Sequence, residues 1–275
     1  MLPIIQHVLR YTHLLKAVDH CRYLKRVLQC IRRNRAFRRD YPDFNLPPQH
    51  LAYDAYGSPD WYYYRRTGLQ VAQDIEKLLL KYNYDISNIK ILEWGCGPGR
   101  CIRHFPNVLG PNAQIYGTDY NEETIVWAKD NINGVKFMKN DLKPPLPFGN
   151  NTFDFVCALS VLTHLSEKSC QQWIKEIARV LKNDGMLCFT TNSDLIAEML
   201  LSHEKKIYDT KGFYCRGKFQ EGKKMFNTFH SRPYVKQTLT TGFELLQHIT
   251  SGPFQFIPTQ DTWLVRKKKS GIHDI

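Results

Sequence analysis

The sequence has no run of about 18 apolar residues, so no segment is predicted to cross a membrane as a helix. Its eight cysteines include no C-x-x-C pair and no spacing typical of a zinc site. We therefore expect a reducing compartment and no structural metal. No secretory signal peptide is predicted. No Ser-His-Asp or Cys-His arrangement typical of a covalent nucleophile is evident either.

Positive charge is abundant, with a formal net charge of +12 over 275 residues. It is concentrated at the two ends of the chain. Residues 1–40 contain ten Lys or Arg against two Asp, and residues 264–275 contain four basic residues against one Asp. Residues 41–263 contain 24 basic and 23 acidic residues and are almost neutral. Because a nucleic-acid enzyme usually carries a basic stripe beside its active site, a nucleic-acid substrate is not favoured.

The first 40 residues are predicted to form a basic amphipathic helical arm. Apolar residues recur there at helical spacing, and they are Ile4, Val8, Tyr11, Leu15, Val18, Leu24, Leu28 and Ile31. Three interpretations stay open: a helix packed on the domain with a solvated basic face, a helix on an anionic membrane surface, or an organellar presequence. The last is disfavoured because these residues contain no serine. Residues 41–60 are rich in proline and are predicted to be a linker.

The most informative segment is an apolar run that ends in an acid and continues into three alternating glycines, at residues 89–99. Such a run is typical of a buried parallel strand, and Gly95, Gly97 and Gly99 allow a sharp turn close to a ligand. A dinucleotide-binding fingerprint needs its third glycine three residues after the second, where this chain has Arg100. The spacing therefore argues against a dinucleotide.

The pattern E-x-G-x-G-x-G instead resembles motif I of class I S-adenosylmethionine-dependent methyltransferases. A second predicted strand ends in Asp119, whose carboxylate can accept hydrogen bonds from both ribose hydroxyls. A third predicted strand ends in residues 140–142, which match the adenine-edge position of that family, and residues 153–160 match its fourth strand. The resemblance covers about residues 60–268. Four motifs in the correct order are far more specific than one glycine loop.

The resemblance implies that S-adenosylmethionine is the cofactor. The residues expected to bind it are Glu93, Gly95, Cys96, Gly97, Gly99, Arg100, Asp119, Tyr120, Asn140, Asp141, Leu142 and Ser160. Arg100 or Arg103 is the candidate for the methionine carboxylate. Residues 62–64 are tyrosines that open a helix, and a helix at this place commonly lies over the cofactor in this family. Tyr62, Tyr63 and Tyr64 are all candidates for a cation–π contact with the sulfonium, and Tyr63 stands for them among the expected site residues.

The resemblance and the alternation of strands and helices predict a Rossmann-like α/β class I methyltransferase fold. We expect a mostly parallel seven-stranded sheet with an antiparallel last strand, helices on both faces and an N-terminal helical extension. The methyltransferase domain is predicted over residues 61–268, with a substrate-binding insertion at about 192–232, followed by a tail at 269–275. Within the insertion, residues 205–224 are polar and contain glycine, and this segment is long for a connection with no structure of its own.

Two histidines are candidates for a catalytic base, which a hydroxyl acceptor needs in addition to correct positioning. His164 follows the fourth strand, where the loop is expected to open toward the transferring methyl group, and imidazole accepts a proton near neutral pH. Its competing interpretation is a packing role over the cofactor. His230, in the predicted substrate region, is the second candidate, with a surface or helix-capping role as its alternative.

The sequence predicts an enzyme that methylates a hydroxyl of a small molecule or a glycan. Residues 229–233 and 260–267 are similar to bacterial methyltransferases of glycan and natural-product biosynthesis. The N-P-P-Y type motif of nucleic-acid N-methyltransferases is absent after the fourth strand. The alternatives are an RNA or protein methyltransferase, or a non-catalytic cofactor-binding scaffold. A cytoplasmic location is expected, and peripheral contact of residues 1–40 with an anionic membrane stays open.

Overall fold

The computed structural model describes residues 14–192, 194–250 and 260–269. The predicted helical positions Ile4, Val8 and Tyr11 lie outside the described residues, as does most of the tail predicted at 269–275. Strands are described at β1 Lys90–Trp94, β2 Gln114–Asp119, β3 Lys136–Lys139, β4 Phe153–Ala158, β5 Leu181–Asn192, β6 Phe213–Arg216, β7 Asn227–His230, β8 Phe243–Ile249 and β9 Gln260–Lys267.

One sheet contains seven of these strands in the order β3-β2-β1-β4-β5-β9-β8, and β6 and β7 form a separate antiparallel hairpin. Neighbours among the first five strands pair in parallel, whereas β9 runs antiparallel to both β5 and β8. The predicted fold, with a mostly parallel seven-stranded sheet and an antiparallel last strand, is confirmed.

The sheet places the ends of three strands side by side. Ile91 and Leu92 of β1 are fully buried and pack into two different hydrophobic clusters, because successive side chains point to opposite faces of a strand. Glu93 pairs with Gly117 of β2 and with Cys157 of β4, which aligns the carboxyl ends of these strands. The strands β2 and β4 lie on opposite sides of β1. The order of the strands therefore reverses at β1, and a crevice opens at the carboxyl ends of the strands there.

Helices cover both faces of the sheet. They are α1 Leu15–Asp40, α2 Gln49–Tyr56, α3 Trp61–Lys81, α4 Phe105–Leu109, α5 Glu122–Asn131, α6 Glu167–Val180, α7 Asp194–Ala197, α8 Ser202–Lys211 and α9 Arg232–Tyr234. Helix α3 begins after Asp60, whose carboxylate accepts a hydrogen bond from Tyr63 N (3.0 Å). Within the described ranges, no helix has the length and apolarity that a membrane crossing requires.

The arm predicted at residues 1–40 is packed against the body along one face of α1. Phe37 is fully buried, with its ring against Tyr41, Phe44 and Tyr62. The buried amide of Asn34 donates to Pro59 O (2.8 Å) and accepts from Trp61 N (3.1 Å). These contacts support the interpretation of a packed helix for the inner face of α1.

The segment predicted as a linker, residues 41–60, contains helix α2 and does not separate the arm from the body. Ala52 is fully buried, and Tyr53 OH donates to Asp19 Oδ1 of α1 (3.0 Å). Proline is tolerated just before a helix, so Pro47 and Pro48 mark the start of α2 and not an extended spacer.

The polar part of the insertion, residues 205–224, contains most of helix α8 and the strand β6. Helix α8 ends at Gly212, where φ is +71°, and the β6–β7 hairpin follows. Glu204 of α8 is buried and forms an ion pair with Arg216 of β6 (2.5 Å). Arg216 neutralises the Glu204 carboxylate, so this acidic side chain can be buried in a segment of low hydrophobicity.

Candidate active site

A cavity of about 300 Å³ lies at the carboxyl ends of β1, β2 and β4. It is lined by most of the predicted site residues, namely Tyr63, Glu93, Gly95, Cys96, Gly97, Arg100, Asp119, Tyr120, Asn140, Asp141, Leu142, Ser160 and His164. Gly99 and His230 are not among its lining residues. The cavity thus has the size and place of a ligand site in an α/β sheet.

The loop after β1 turns through backbone conformations that favour glycine. Gly95 has φ +74° and Gly97 has φ +52°. A Cβ atom at Gly95 would overlap the side chain of Val161, and one at Gly97 would lie 2.9 Å from Tyr56 Oη. Both positions therefore require glycine for the backbone to pass this closely beneath its neighbours.

Gly99 does not line the cavity, and its lack of a side chain allows close packing against Ile132. Its φ is +75°, and an added Cβ would overlap the end of the Ile132 side chain, just after α5. The third glycine of the motif therefore lets the loop pack against this helix. The prediction of a direct cofactor contact for Gly99 finds no support in its position.

Asp119 lies at the end of β2 and holds the glycine loop in place. Its Oδ2 accepts a hydrogen bond from Gly97 N (3.0 Å), and its Oδ1 accepts one from Asn121 N (2.8 Å). Burial raises the pKa of Asp119, while these two backbone bonds oppose the rise. A carboxylate oxygen has two lone pairs, so Asp119 retains the capacity to accept from ligand hydroxyls in the cavity.

Two buried oxygen atoms in the cavity wall have no hydrogen-bond partner among the described residues, Glu93 Oε2 and Asn140 Oδ1. Burial raises the pKa of Glu93 to about 8, although the nearby Arg100 acts against it. Buried polar atoms are normally paired, so a ligand that brings hydrogen-bond donors would satisfy both. S-adenosylmethionine carries such donors on its adenine, ribose and amino groups, and the residues present fit it.

The aromatic cluster at the start of α3 divides between packing and the cavity. Tyr64 is buried and donates to Pro98 O (2.5 Å), and Tyr62 donates to Asp40, whereas Tyr63 lines the cavity. This placement agrees with the choice of Tyr63 as the candidate contact.

Arginines 100 and 103 also differ in their placement. Arg100 lines the cavity and donates from Nη1 to Thr67 Oγ1 (2.8 Å). Arg103 is not a lining residue and donates from Nη1 to Asn45 O (2.9 Å). Of the two candidates for a ligand carboxylate, the structure therefore brings only Arg100 to the cavity.

Helix α2 forms a wall of the cavity that the sequence reasoning missed. Tyr56 OH accepts from Arg100 N (3.2 Å) and is within hydrogen-bonding distance of Cys96 O (3.3 Å), and the Arg100 guanidinium lies 4.7 Å from the Tyr56 ring centroid. Leu51, Asp54 and Tyr56 line the cavity together. In the sequence, the prolines before α2 and the three-residue spacing of Leu51 and Asp54 could indicate a short helix with one shared face. Neither feature indicates that this face lines a ligand cavity.

The β6–β7 loop, residues 217–226, closes one side of the cavity. Gly222 N donates to His164 O (2.9 Å), and Gly222 O accepts from Tyr120 OH (3.0 Å). Glu221 Oε1 accepts from Ser166 N, at the start of α6 (2.6 Å). Hydrogen bonds from both backbone and side-chain groups therefore hold the loop against the strand ends and the start of α6. The sequence predicted a substrate-binding insertion at about 192–232, but it did not indicate which of its residues reach this site.

His164 is held in one orientation in the cavity wall. Its Nδ1 lies 2.7 Å from Phe226 O, and because a carbonyl only accepts, Nδ1 is the protonated nitrogen. In neutral His164 the other nitrogen, Nε2, is then an acceptor. Burial lowers the pKa of His164 below the usual 6.5, while the bond to Phe226 and the charge of Asp54 oppose the shift.

His230 is placed in the core of the hairpin. Its ring packs against Phe213 and Tyr234 with centroid distances of 5.1 and 6.1 Å, and its Nδ1 has no partner among the described residues. Burial lowers the pKa of His230 to about 3. Because His230 does not line the cavity, the structure does not bring this second candidate base to the site.

Residues 91–185 match a family model described as a methyltransferase domain. An uncharacterized methyltransferase of Schizosaccharomyces pombe is 30% identical over 126 residues, which cover 42% of this chain and 44% of that protein. A ubiquinone/menaquinone biosynthesis C-methyltransferase of Ectopseudomonas mendocina is 25% identical over 149 residues, covering 50% of this chain and 56% of that protein. A tRNA N(3)-methylcytidine methyltransferase of S. pombe is 28% identical over 159 residues, covering 54% and 50%.

The chain therefore spans about half the length of the curated relatives that it matches. Among solved structures, magnesium protoporphyrin IX methyltransferase of Synechocystis with bound S-adenosylhomocysteine superposes with a TM-score of 0.52 at 17% identity. The superposition covers 86% of this chain and 96% of that one. At this identity the likeness is one of fold.

Proposed function

We propose that this chain is a class I S-adenosylmethionine-dependent methyltransferase and that it transfers the methyl group of this cofactor to a hydroxyl of a small molecule or a glycan. The observation that carries the proposal is the cavity itself. It combines the glycine loop, strand-end acids with free acceptor capacity, and a histidine whose Nε2 is an acceptor when neutral.

The chain supplies a distinct group for each part of the cofactor. Asp119 is proposed to accept hydrogen bonds from the ribose hydroxyls, residues 140–142 to hold the adenine edge, and Arg100 to face the methionine carboxylate. The bound cofactor supplies a methyl group already activated by its sulfonium. The protein then has to position the acceptor in line and to exclude water, which α2 and the β6–β7 loop support by enclosing the cavity.

His164 is proposed to take the proton from the acceptor hydroxyl. The bond from Nδ1 to Phe226 O fixes the tautomer and leaves Nε2 as the base. Its lowered pKa keeps the imidazole neutral, and so able to accept a proton, at pH 7. The hydrogen bond to Phe226 O would also stabilise the imidazolium formed after proton transfer.

The relatives suggest two other acceptor classes, a carbon atom of a quinone precursor and a tRNA base. The base chemistry of His164 would serve a carbon acid as well as a hydroxyl. An RNA acceptor is favoured only if the basic arm lines the mouth of the cavity. None of the described residues of α1 lines it, and within the part of the chain that the structure describes, Arg100 and Lys224 are the only arginine and lysine in its wall. We therefore favour an uncharged small acceptor.

The proposal is tested by incubating the full chain with S-adenosylmethionine labelled at its methyl group. The acceptor panel contains phenols, quinols, glycans, peptides and tRNA, and the label is followed into product. We expect transfer to a hydroxyl compound and none to tRNA. Label found only in quinol carbon or in tRNA would reject the hydroxyl acceptor.

Cofactor binding is measured separately by calorimetry, with NAD and ATP as matched nucleotide controls. We expect S-adenosylhomocysteine to bind at least about tenfold more tightly than either, since the motif spacing does not suit a dinucleotide. Binding of NAD without binding of S-adenosylhomocysteine would reject the cofactor and with it the proposed reaction.

A further inference from the structure

Helix α1 has a second apolar stripe on the face opposite its packed side. Its members are separated alternately by three and four residues, and they are the N-cap residue Leu14 followed by Ala17, Cys21, Leu24, Leu28 and Ile31. Such spacing keeps a stripe on one side of a helix, whereas Leu15, Asn34 and Phe37 are buried on the other side. The stripe extends for about 26 Å at 1.5 Å per residue.

The large side chains of this outer stripe are open to solvent. Leu28 is 69% exposed, Leu14 54%, Leu24 47% and Ile31 37%. Single exposed apolar residues are ordinary, but a continuous row of them marks a surface that binds a partner. A helix that only packed on the domain would need no apolar residues on its outer face.

Basic residues accompany the outer stripe. Of the nine Lys and Arg in α1, Arg26 donates to Gly57 O (2.6 Å) and Arg33 pairs with Asp60 (3.2 Å). The other seven form no ion pair within the described ranges and are exposed: Lys16, Arg22, Lys25, Arg32, Arg35, Arg38 and Arg39. Lys25 and Arg32 lie three and four residues from Leu28, directly beside the stripe.

The stripe leads into a groove at the end of α1. Ile31, Arg35 and Arg38 form one side of the groove, and Trp127 of α5 lies among its other lining residues. The volume of the groove is about 440 Å³. Guanidinium groups beside indole and aliphatic surface suit a group that is anionic at one end and apolar at the other.

We propose that the outer face of α1 binds the surface of an anionic phospholipid bilayer. The leucines enter the boundary between headgroups and acyl chains, and Lys25, Arg32 and the groove arginines contact lipid phosphates. A second copy of this chain is the less suitable occupant, because two such faces would bring unpaired basic residues together. This docking is independent of the proposed methyl transfer.

The test is sedimentation of the full chain with vesicles of phosphatidylglycerol and phosphatidylcholine, compared with vesicles of phosphatidylcholine alone. One variant, Leu24→Gln with Leu28→Gln, removes the apolar stripe without changing the charge. A second, Lys25→Gln with Arg32→Gln, removes two cations. The matched controls are Leu195→Gln, at a site 67% exposed on α7, and Lys168→Gln with Lys175→Gln on α6, where both lysines are exposed.

We expect the wild type to bind only the anionic vesicles and to be released as salt is raised. The leucine variant should bind about tenfold more weakly and the charge variant roughly thirtyfold more weakly, while both controls stay within about twofold of wild type. Unchanged S-adenosylhomocysteine binding verifies that each variant is folded.

Three results would overturn the proposal: no binding of the wild type to anionic vesicles, equal binding by the leucine variant, or equal losses in the controls. Light scattering adds a fourth. If the wild type is a dimer that the leucine variant converts to a monomer, and vesicles are not bound, a second copy of the chain covers the stripe.

Discussion

At the scale of single residues, the two candidate histidines differ because their surroundings differ. His164 lies in the cavity wall with Nδ1 hydrogen-bonded to Phe226 O, and its other nitrogen, Nε2, is the proposed base. His230 lies between aromatic rings in a hairpin core, where burial lowers its pKa to about 3. A buried imidazole of this kind stays neutral over the physiological range and contributes packing.

Replacement of His164 by Gln tests its role as the base. The rate should fall by roughly 10²–10⁴, while S-adenosylhomocysteine affinity stays within about threefold of wild type. The base is active when neutral, and its pKa lies below 6.5, so the wild-type rate should fall as pH drops through that pKa. The variant should lack this acid limb. Cofactor affinity that falls in proportion to the rate would instead assign His164 a structural role.

Replacement of Gly97 by Ala separates close packing from backbone strain. Gly97→Ala should weaken S-adenosylhomocysteine binding by about tenfold or more, because the new Cβ would lie 2.9 Å from Tyr56 Oη and displace α2. Gly57→Ala is the matched control, since its φ is also positive (+65°) and left-handed but nothing lies within 4 Å of the added atom.

Both glycine variants should lose about 1–2 kcal/mol of folding free energy, the cost of a left-handed conformation for a residue with a Cβ. Only Gly97→Ala should lose ligand affinity. Calorimetry and denaturant unfolding measure the two quantities. Equal ligand affinities in the two variants would show that the contact with α2 is not needed for binding.

At the scale of secondary-structure elements, the site depends on two segments outside the sheet, α2 and the β6–β7 loop. Tyr56 connects α2 to the glycine loop through Arg100 N, and Tyr120 connects the strand end to Gly222 O. The sheet thus supplies the floor, while these two segments enclose the ligand and limit the access of water.

Replacement of Glu221 by Ala should loosen the β6–β7 loop, because Ser166 N at the start of α6 loses its acceptor. One such bond contributes about 1–1.5 kcal/mol, so trypsin should cleave after Lys223 and Lys224 about tenfold faster. Glu221→Gln keeps an acceptor oxygen and should be cleaved at nearly the wild-type rate. Equal cleavage of the Ala variant and the wild type would show that this bond does not hold the loop.

At the scale of the whole molecule, one face of α1 packs against the body, and the other face exposes leucines and basic residues to solvent. Lys224 of the β6–β7 loop forms an ion pair with Asp19 of α1 (2.7 Å), so the arm also contacts a segment that encloses the cavity. Helix α1 therefore holds a concentration of basic residues beside a body, residues 41–263, that is nearly neutral.

Two substitutions on α1 distinguish its faces. Phe37→Ala should destabilise the protein by about 3–5 kcal/mol, because it opens a cavity among Tyr41, Phe44 and Tyr62. Leu28→Ala should change stability by less than about 0.5 kcal/mol, since that side chain is 69% exposed. Denaturant unfolding measures both. A small effect of Phe37→Ala would mean that the arm folds separately from the body.

Much of the fold and of the cofactor half of the site could be predicted because local chemistry fixes them. An apolar strand with an acid at its end and glycines after it, as at Glu93 and Gly95, specifies both a buried parallel strand and a turn beneath a ligand. Asp119 was predictable for the same reason, since the end of the next parallel strand must lie at the same sheet edge. The concentration of basic residues at the two ends of the chain, and the almost neutral charge of residues 41–263, were also evident from the sequence.

Only the tertiary structure decided which side chains outside these motifs reach the cavity. Tyr56 and the β6–β7 loop arrive there through contacts between segments more than 40 residues apart, which no local pattern encodes. His164 and His230 looked alike in sequence, and their different pKa values arise from burial and neighbours. The two faces of α1 were separable for the same reason: helical spacing places Leu28 and Phe37 on opposite sides, but which side is covered depends on where the body packs.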